Sequence, residues 1–161
     1  MTAEERREKA ADLVREAYHR QMAGDLEGAI DHYQRSIEIY PTAEAHTFLG
    51  WTYSFQRRYD DAIAECKQAI AVDASFARAY DDIGAYLIEL GRLDEAVPWL
   101  ERAIVASRTE PKHHAHRNLG RVWREKGQLR KAAEAFERAL ALDPSDDEAE
   151  TALAAVRRAL N

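Results

Sequence analysis

Four alanines set the spacing of this chain. Ala29, Ala62, Ala96 and Ala132 follow one another at steps of 33, 34 and 36 residues. Other residue types keep the same register. Seven places after each alanine stands another small residue, Ser36, Ala69, Ala103 or Ala139, and between the two lies a bulkier one, Tyr33, Cys66, Leu100 or Phe136. Twelve places before each alanine come Ala17, Gly50, Gly84 and Gly120, and five places before come Gly24, Arg57, Gly91 and Gly127. A period near 34 is that of a two-helix unit that cannot bury its apolar face alone, so neighbouring copies must stack. Such a stack offers a surface, and nothing in the pattern requires a reaction.

The physical demands of a helix pair explain the residue types. Two antiparallel helices approach to about 8–10 Å only where the facing side chains are small. Glycine inside a helix costs about 1 kcal/mol against alanine, so three glycines at one register position imply close packing there. The larger residues beside them fill the remaining grooves. A loop glycine supplies the left-handed conformation that ends the first helix of a unit. Pro41 and Pro144 stop the second helix of two units.

These small, bulky, glycine and terminal-proline places resemble the tetratricopeptide repeat family, over roughly residues 10–144. The resemblance implies an all-α, right-handed α-solenoid of about four helix pairs plus a C-terminal capping helix. The whole is expected as a single domain, 1–161, with repeats near 10–42, 43–76, 77–110 and 113–144 and a capping helix near 146–160. Three places depart from the pattern. Unit one has Glu16-Ala17 where the others read apolar-Gly; unit two has Arg57 in its loop and Ala74 for the closing proline; two extra residues fall around 107–112. The insertion is expected to alter the local superhelical step without abolishing the fold.

Capping signals place the elements. Thr2-Ala-Glu-Glu5 reads as a capping box that opens a first helix over 3–23, and Ser145-Asp-Asp-Glu148 as one that opens a last helix to about 159. Between them the pattern predicts helices over 26–40, 43–56, 60–73, 77–90, 94–107, 112–126 and 129–142. Pro98 falls early in its helix, where its missing amide is expected to cost no intrahelical bond.

Charge narrows the class of partner. The chain carries a net −6, distributed as −3, −2, −3, +4 and −2 over 1–42, 43–76, 77–110, 111–144 and 145–161. An acidic whole argues against nucleic acid, because phosphate binding needs a dominant positive field. No run of 18 apolar residues is present, so no membrane association is expected. A polar start and a single cysteine, Cys66, lead to a cytoplasmic expectation.

In the resembling family the first helices of successive units line a concave groove where ligands lie. Helical geometry then selects the groove residues, because positions three, four and seven apart share a face. Phe48, Trp51 and Phe55 form an aromatic stripe, with Tyr18 and Met22 beside it. Asp81, Asp82 and Glu89, with Arg78, come next, then Arg117, Asn118, Arg121 and Arg124. Tyr18, Phe48, Trp51 and Phe55 are expected to anchor an apolar residue, Arg117, Arg121 and Arg124 an acidic stretch, and Asp81, Asp82 and Glu89 a basic one. The plainer alternative is that the aromatics pack on each other and the charges pair across helices. Adaptors of this family that hold a terminal carboxylate use a lysine, asparagine and arginine clamp. The corresponding places here are Val14, Tyr18, Phe48, Arg78 and Asp82 or, one unit later, Thr47, Trp51, Asp82, His114 and Asn118, and neither set makes a cationic pocket.

Chemistry finds little support. His113, His114 and His116 do not share a helix face, so no metal site is expected. Cys66 falls on a bulky core place and reads as a buried thiol. No nucleophile elbow, phosphate-binding glycine loop or H-E-x-x-H motif occurs. The expectation is therefore a non-enzymatic scaffold or adaptor without cofactors, whose partner is another protein or a peptide segment. A self-associating homo-oligomer, meeting its copy through Trp99, is the alternative.

Overall fold

Helix starts in this chain are fixed by local chemistry at the two ends and by packing in the middle. The computed structural model describes all 161 residues, as α1 (Ala3–Met22), α2 (Leu26–Ile39), α3 (Ala43–Phe55), α4 (Tyr59–Val72), α5 (Ala77–Glu89), α6 (Leu93–Ala106), α7 (His113–Glu125), α8 (Leu129–Leu142) and α9 (Asp147–Leu160). The reciprocal capping box at Thr2 and Glu5 forms as expected, and Asp25 and Thr42 cap α2 and α3 through their side chains. None of α4 to α8 has a side-chain cap from its own N-cap residue. Those helices depend on tertiary packing instead.

Two local expectations need correction. The cap of α9 is Asp146, whose carboxylate accepts from the Ala149 amide at 3.0 Å, and not Ser145. Ser145 donates its hydroxyl to Asp143 at 2.6 Å, as Ser75 does to Asp73 at 2.7 Å, so this serine belongs to the turn between units. Pro98 lies deeper than the sequence implied. With α6 starting at Leu93 it is the sixth residue, so the Asp94 carbonyl loses its helical donor.

The helices pair as antiparallel hairpins, α1/α2 to α7/α8, and the pairs stack in chain order with α9 closing the end on α8. The odd helices also touch one another directly, α1 with α3, α3 with α5 and α5 with α7. The stack therefore curves with the odd helices inside. One continuous core of 21 buried residues runs from Ala17 to Ala135, and a smaller one of 7 lies under α9.

The repeated small residues make this stack possible. Tyr33, Cys66, Leu100 and Phe136 are fully buried, each opposite the small residue sixteen places earlier. A methyl on Gly120 would lie 2.5 Å from the Phe136 ring, one on Gly50 would lie 2.9 Å from the Ala62 carbonyl, and one on Gly84 would overlap Leu100. In unit one, alanine takes the glycine place, and Ser36 donates to the Ala10 carbonyl at 2.8 Å. The insertion around 107–112 has a definite role. Its Glu110 accepts from the Ala77 and Arg78 amides at 2.9 and 3.2 Å, supplying the N-terminal cap that α5 lacks.

Candidate functional site

The inner face divides into an aromatic and a charged half. On α3, residues 48, 51 and 55 fall on one stripe because they are three, four and seven apart. Their rings join: Phe48 to Trp51 at 6.1 Å between centroids and Trp51 to Phe55 at 5.2 Å. Tyr18 of α1 meets Phe48 edge-on at 5.9 Å, and the buried Tyr33 stacks beneath Phe48 at 6.0 Å. The aromatics do pack on each other, yet the ledge stays open, with Phe55 54% and Tyr18 41% exposed. A cavity of about 400 Å³ lies over Tyr18, Phe48 and Trp51 between α1, α3 and α5, and Phe55 continues the ledge outside it. Arg78 forms one wall, its guanidinium 5.3 Å from the Phe48 centroid and 5.9 Å from that of Trp51.

The ledge rests on a buried polar clasp. Gln21 of α1 accepts from the Tyr33 and Thr52 hydroxyls, each at 3.0 Å, tying α1, α2 and α3 together under the aromatics. Burial, and then Tyr18 and the charge of Glu44, hold the Tyr33 phenol far above its ordinary value.

In the charged half the side chains are engaged with one another. Arg117 makes two 2.8 Å contacts to Asp146, whose side chain is 2% exposed, and a third contact to His114 at 3.0 Å. Burial opposes ionisation of Asp146, but the Ala149 amide and Arg117 outweigh it and hold its carboxyl below the usual range. Arg121 reaches Glu89 at 2.9 Å and Asn118 at 3.1 Å, and Asn118 donates to Asp81 at 2.9 Å. The Asp81–Asn118–Arg121–Glu89 chain thus links α5 to α7. Asp82 is different. Burial, and then the charge of Asp81, push it up to about 7, and its Oδ2 has no hydrogen-bond donor although Arg78 stands 3.7 Å away.

The sequence-predicted residues therefore fall into separate groups. Tyr18, Phe48, Trp51 and Phe55 come together as one ledge. Asp81, Arg117 and Arg121 line the inner face but already have hydrogen-bonded partners on other helices, whereas Asp82 has only the 3.7 Å approach of Arg78 on its own helix. Arg124 is exposed, has no ion pair, and borders a second cavity of about 470 Å³ between α7 and α9. Arg15, His19 and Glu44 also line the aromatic pocket and did not stand out in the sequence. A signal for Glu44 existed, since it occupies in unit two the place of Arg78 in unit three. Trp99 is half-buried against Tyr80, with Arg102 4.7 Å and Lys67 5.7 Å from its ring, which leaves little free surface there. The rings of His113 and His114 lie 3.9 Å apart between centroids, tilted by 39°, and His116 is half-buried with its Nδ1 unpartnered. Burial raises the Cys66 thiol well above its ordinary value.

Comparison with known proteins agrees with this architecture. Residues 43–76 and 75–145 match profiles described as tetratricopeptide repeat, together more than half of the chain, and the chain belongs to that family. It is similar to a small glutamine-rich tetratricopeptide repeat-containing protein 2 of Mycosarcoma maydis, at 32% identity over 98 residues, covering 60% of this chain and 28% of the relative. It is also similar to the type IV pilus assembly protein PilF of Pseudomonas aeruginosa, at 28% identity over 142 residues, covering 84% of this chain and 56% of the relative. The chain thus spans less than two thirds of either curated relative. A solved structure of Pseudomonas aeruginosa PilF superposes with a TM-score of 0.86 at 25% identity, covering 94% of this chain and 68% of that one. No helix here is long and apolar enough to cross a membrane.

Proposed function

We propose that the chain acts as one domain, an adaptor that holds a segment of another protein in its concave groove and performs no chemistry of its own. Proteins of this family generally mediate protein–protein interaction. One observation carries the placement in the groove: the Tyr18–Phe48–Trp51–Phe55 ledge, four rings in contact along two inner helices, open above and fixed from below. Aromatic side chains give contact area at low entropic cost, and rings already held by packing lose little freedom on binding. The cytoplasmic setting expected from the sequence belongs to this reading.

The test is capture of partners by the wild type and by a Trp51→Glu variant whose melting curve shows it still folded. Hydrogen exchange on the captured complex reports where the partner sits. A partner retained by the wild type, lost by the variant, and protecting the inner faces of α1, α3 and α5 is the expected result. Equal retention by both, or protection confined to the even helices, overturns the reading.

A further inference from the structure

The two signs of charge are held differently on the inner face. The carboxylates at its centre point inward to internal donors: Asp81 to Asn118, Glu89 to Arg121, Asp146 to Arg117, and Glu110 to the first amides of α5. A basic segment entering the groove would have to displace one of these partners. The expectation that Asp81 and Asp82 receive a basic stretch loses its support.

Arg78 is the opposite case. Its guanidinium carbon lies over both aromatic rings, 5.3 Å from the Phe48 centroid and 5.9 Å from that of Trp51, and 46% of its side chain is exposed. A cation–π contact uses the charge of the guanidinium and not its N–H donors, none of which makes a hydrogen bond here, and a planar fork of donors matches a carboxylate. Its nearest carboxylate, Asp82, is 3.7 Å away, beyond a good hydrogen bond. The pocket it walls holds two arginines, Arg15 and Arg78, against one carboxylate, Glu44. Arg15 is paired with Asp12 on α1, so Arg78 is the cation in reach of a ligand on the ledge.

Resting on the groove reading above, we infer that the aromatic pocket takes a protein segment in which an aromatic or large aliphatic side chain neighbours an acidic one. The apolar group lies on Phe48 and Trp51, and the carboxylate forks onto Arg78. The carboxylate is that of a side chain and not of a chain terminus. The pocket's other arginine, Arg15, is engaged by Asp12, so no free second cation encloses a terminal group, and the pocket is an open trough that a chain can cross.

The experiment is selection of random, end-blocked twelve-residue peptides on the immobilised full chain, for wild type, Arg78→Lys, Arg78→Glu and Trp51→Glu, each checked for folding by circular dichroism. The wild type is expected to select peptides with Asp or Glu within two positions of Trp, Phe, Tyr, Leu or Ile. Those peptides are expected to bind Arg78→Glu at least ten-fold more weakly, while Arg78→Lys keeps the acidic preference. Peptides selected on Arg78→Glu should exchange Asp and Glu for Lys and Arg. Asp82→Asn, which removes the competing carboxylate, should tighten the acidic peptides several-fold. Wild-type peptides with no acidic enrichment, or an unchanged composition on Arg78→Glu, overturn this inference. If those peptides still lose Trp51→Glu binding, the groove reading stands without it. Peptides that bind Trp51→Glu as tightly as wild type, or failure to select any, overturn both.

Discussion

Equivalent positions of the first and last units show how one scaffold makes two different surfaces. Along one lane of the inner face the repeat places Tyr18, Trp51, Ala85 and Arg121; along the next it places Met22, Phe55, Glu89 and Glu125. The backbone positions correspond, yet the first two units present rings and the last two present charges. In the N-terminal half, the polar atoms are buried beneath the ledge, where Gln21 serves Tyr33 and Thr52, and the apolar groups are left outside. In the C-terminal half, the charges lie on the face itself and pair from helix to helix. The apolar ledge is left open; the ion-pair network closes on itself and forms a joint.

The largest expected effect breaks that joint. Arg117→Ala leaves the Asp146 carboxylate buried without its cation, and Asp146 is also the cap of α9. Removing one member of a buried pair should cost about 3 kcal/mol, because the remaining charge is uncompensated. Arg78→Ala, at the wall of the aromatic pocket, should cost about 1 kcal/mol or less, since its pair with Asp82 is long and half exposed. Urea unfolding of both variants measures the contrast, and faster hydrogen exchange in α9 should accompany the first. Equal losses would mean that the pocket wall and the joint do not differ in kind.

Acid sharpens the same comparison, because two largely buried aspartates respond with opposite sign. Burial raises Asp82 to about 7, from an ordinary value of 3.8. Between those values the folded chain holds a proton that the unfolded chain has lost, so stability falls as pH rises through the window. Asp82→Asn should therefore stabilise at pH 8, with the gain fading as pH drops from 7 toward 4. A tenfold change in proton affinity is worth about 1.4 kcal/mol at most, so a gain on the order of 2 kcal/mol is expected where some solvent reaches the group. Asp146 is held below 3.8. Its contribution is present above that value and is lost as pH falls through its folded pKa, so Asp146→Asn destabilises at pH 8 and loses its effect in strong acid. Thermal melts of both variants at pH 8, 6 and 4 test the crossing; parallel curves would remove the distinction.

The sequence made the scaffold legible because the repeat reports it four times. Ala17, Gly50, Gly84 and Gly120, a small residue at one place in every unit, marked the close approach of the paired helices, and the structure sets the bulky residue sixteen places on against each glycine. The aromatic ledge was legible for a related reason, since Phe48, Trp51 and Phe55 share one helix and intrahelical spacing alone joins them. What the sequence did not reveal is pairing between elements. Nothing in the local pattern says that Arg117 belongs to Asp146, 29 residues away, or that Glu110 caps α5, because those contacts depend on how the units rotate against each other. The last capping box was misplaced by one residue for a local reason. Ser145 and Asp146 both suit an N-cap, and the turn anchored on Asp143 claims the serine.

A smaller effect separates the turns of the two halves. Arg57 has φ 59° and stands where Gly24, Gly91 and Gly127 have φ 85°, 74° and 75°. A side chain in the left-handed region costs roughly 1–2 kcal/mol, and glycine gives back part of that through its looser unfolded state. Arg57→Gly should stabilise by about 0.5–1 kcal/mol. Gly91→Ala, at the matching turn of unit three, should destabilise by a similar amount although open space surrounds its Cα. A thermal shift of about 2–4 °C in opposite directions checks the pair.

The smallest expected effect on stability falls at the most exposed part of the ledge. Phe55 touches Trp51 but is more than half open, so Phe55→Ser removes little that folding buries. Its change should lie within about 0.5 kcal/mol, as for an ordinary surface position. Arg124→Ser, at the open edge of the charged half, should be as mild, since Arg124 has no ion pair and only overlies the Phe136 ring at 5.8 Å. The two should part when a partner is present. Binding to the ledge should weaken by roughly ten-fold or more with Phe55→Ser, as expected when an interface anchor worth about 1.4 kcal/mol is removed. Arg124→Ser should leave that binding unchanged, because it lies beyond the aromatic pocket. A residue that does nothing for the folded monomer and much for the complex is what an open ledge predicts. If Phe55→Ser lowers stability by about 2 kcal/mol, well beyond a surface effect, and leaves binding intact, the stripe is internal packing, and the N-terminal half is a joint like the other.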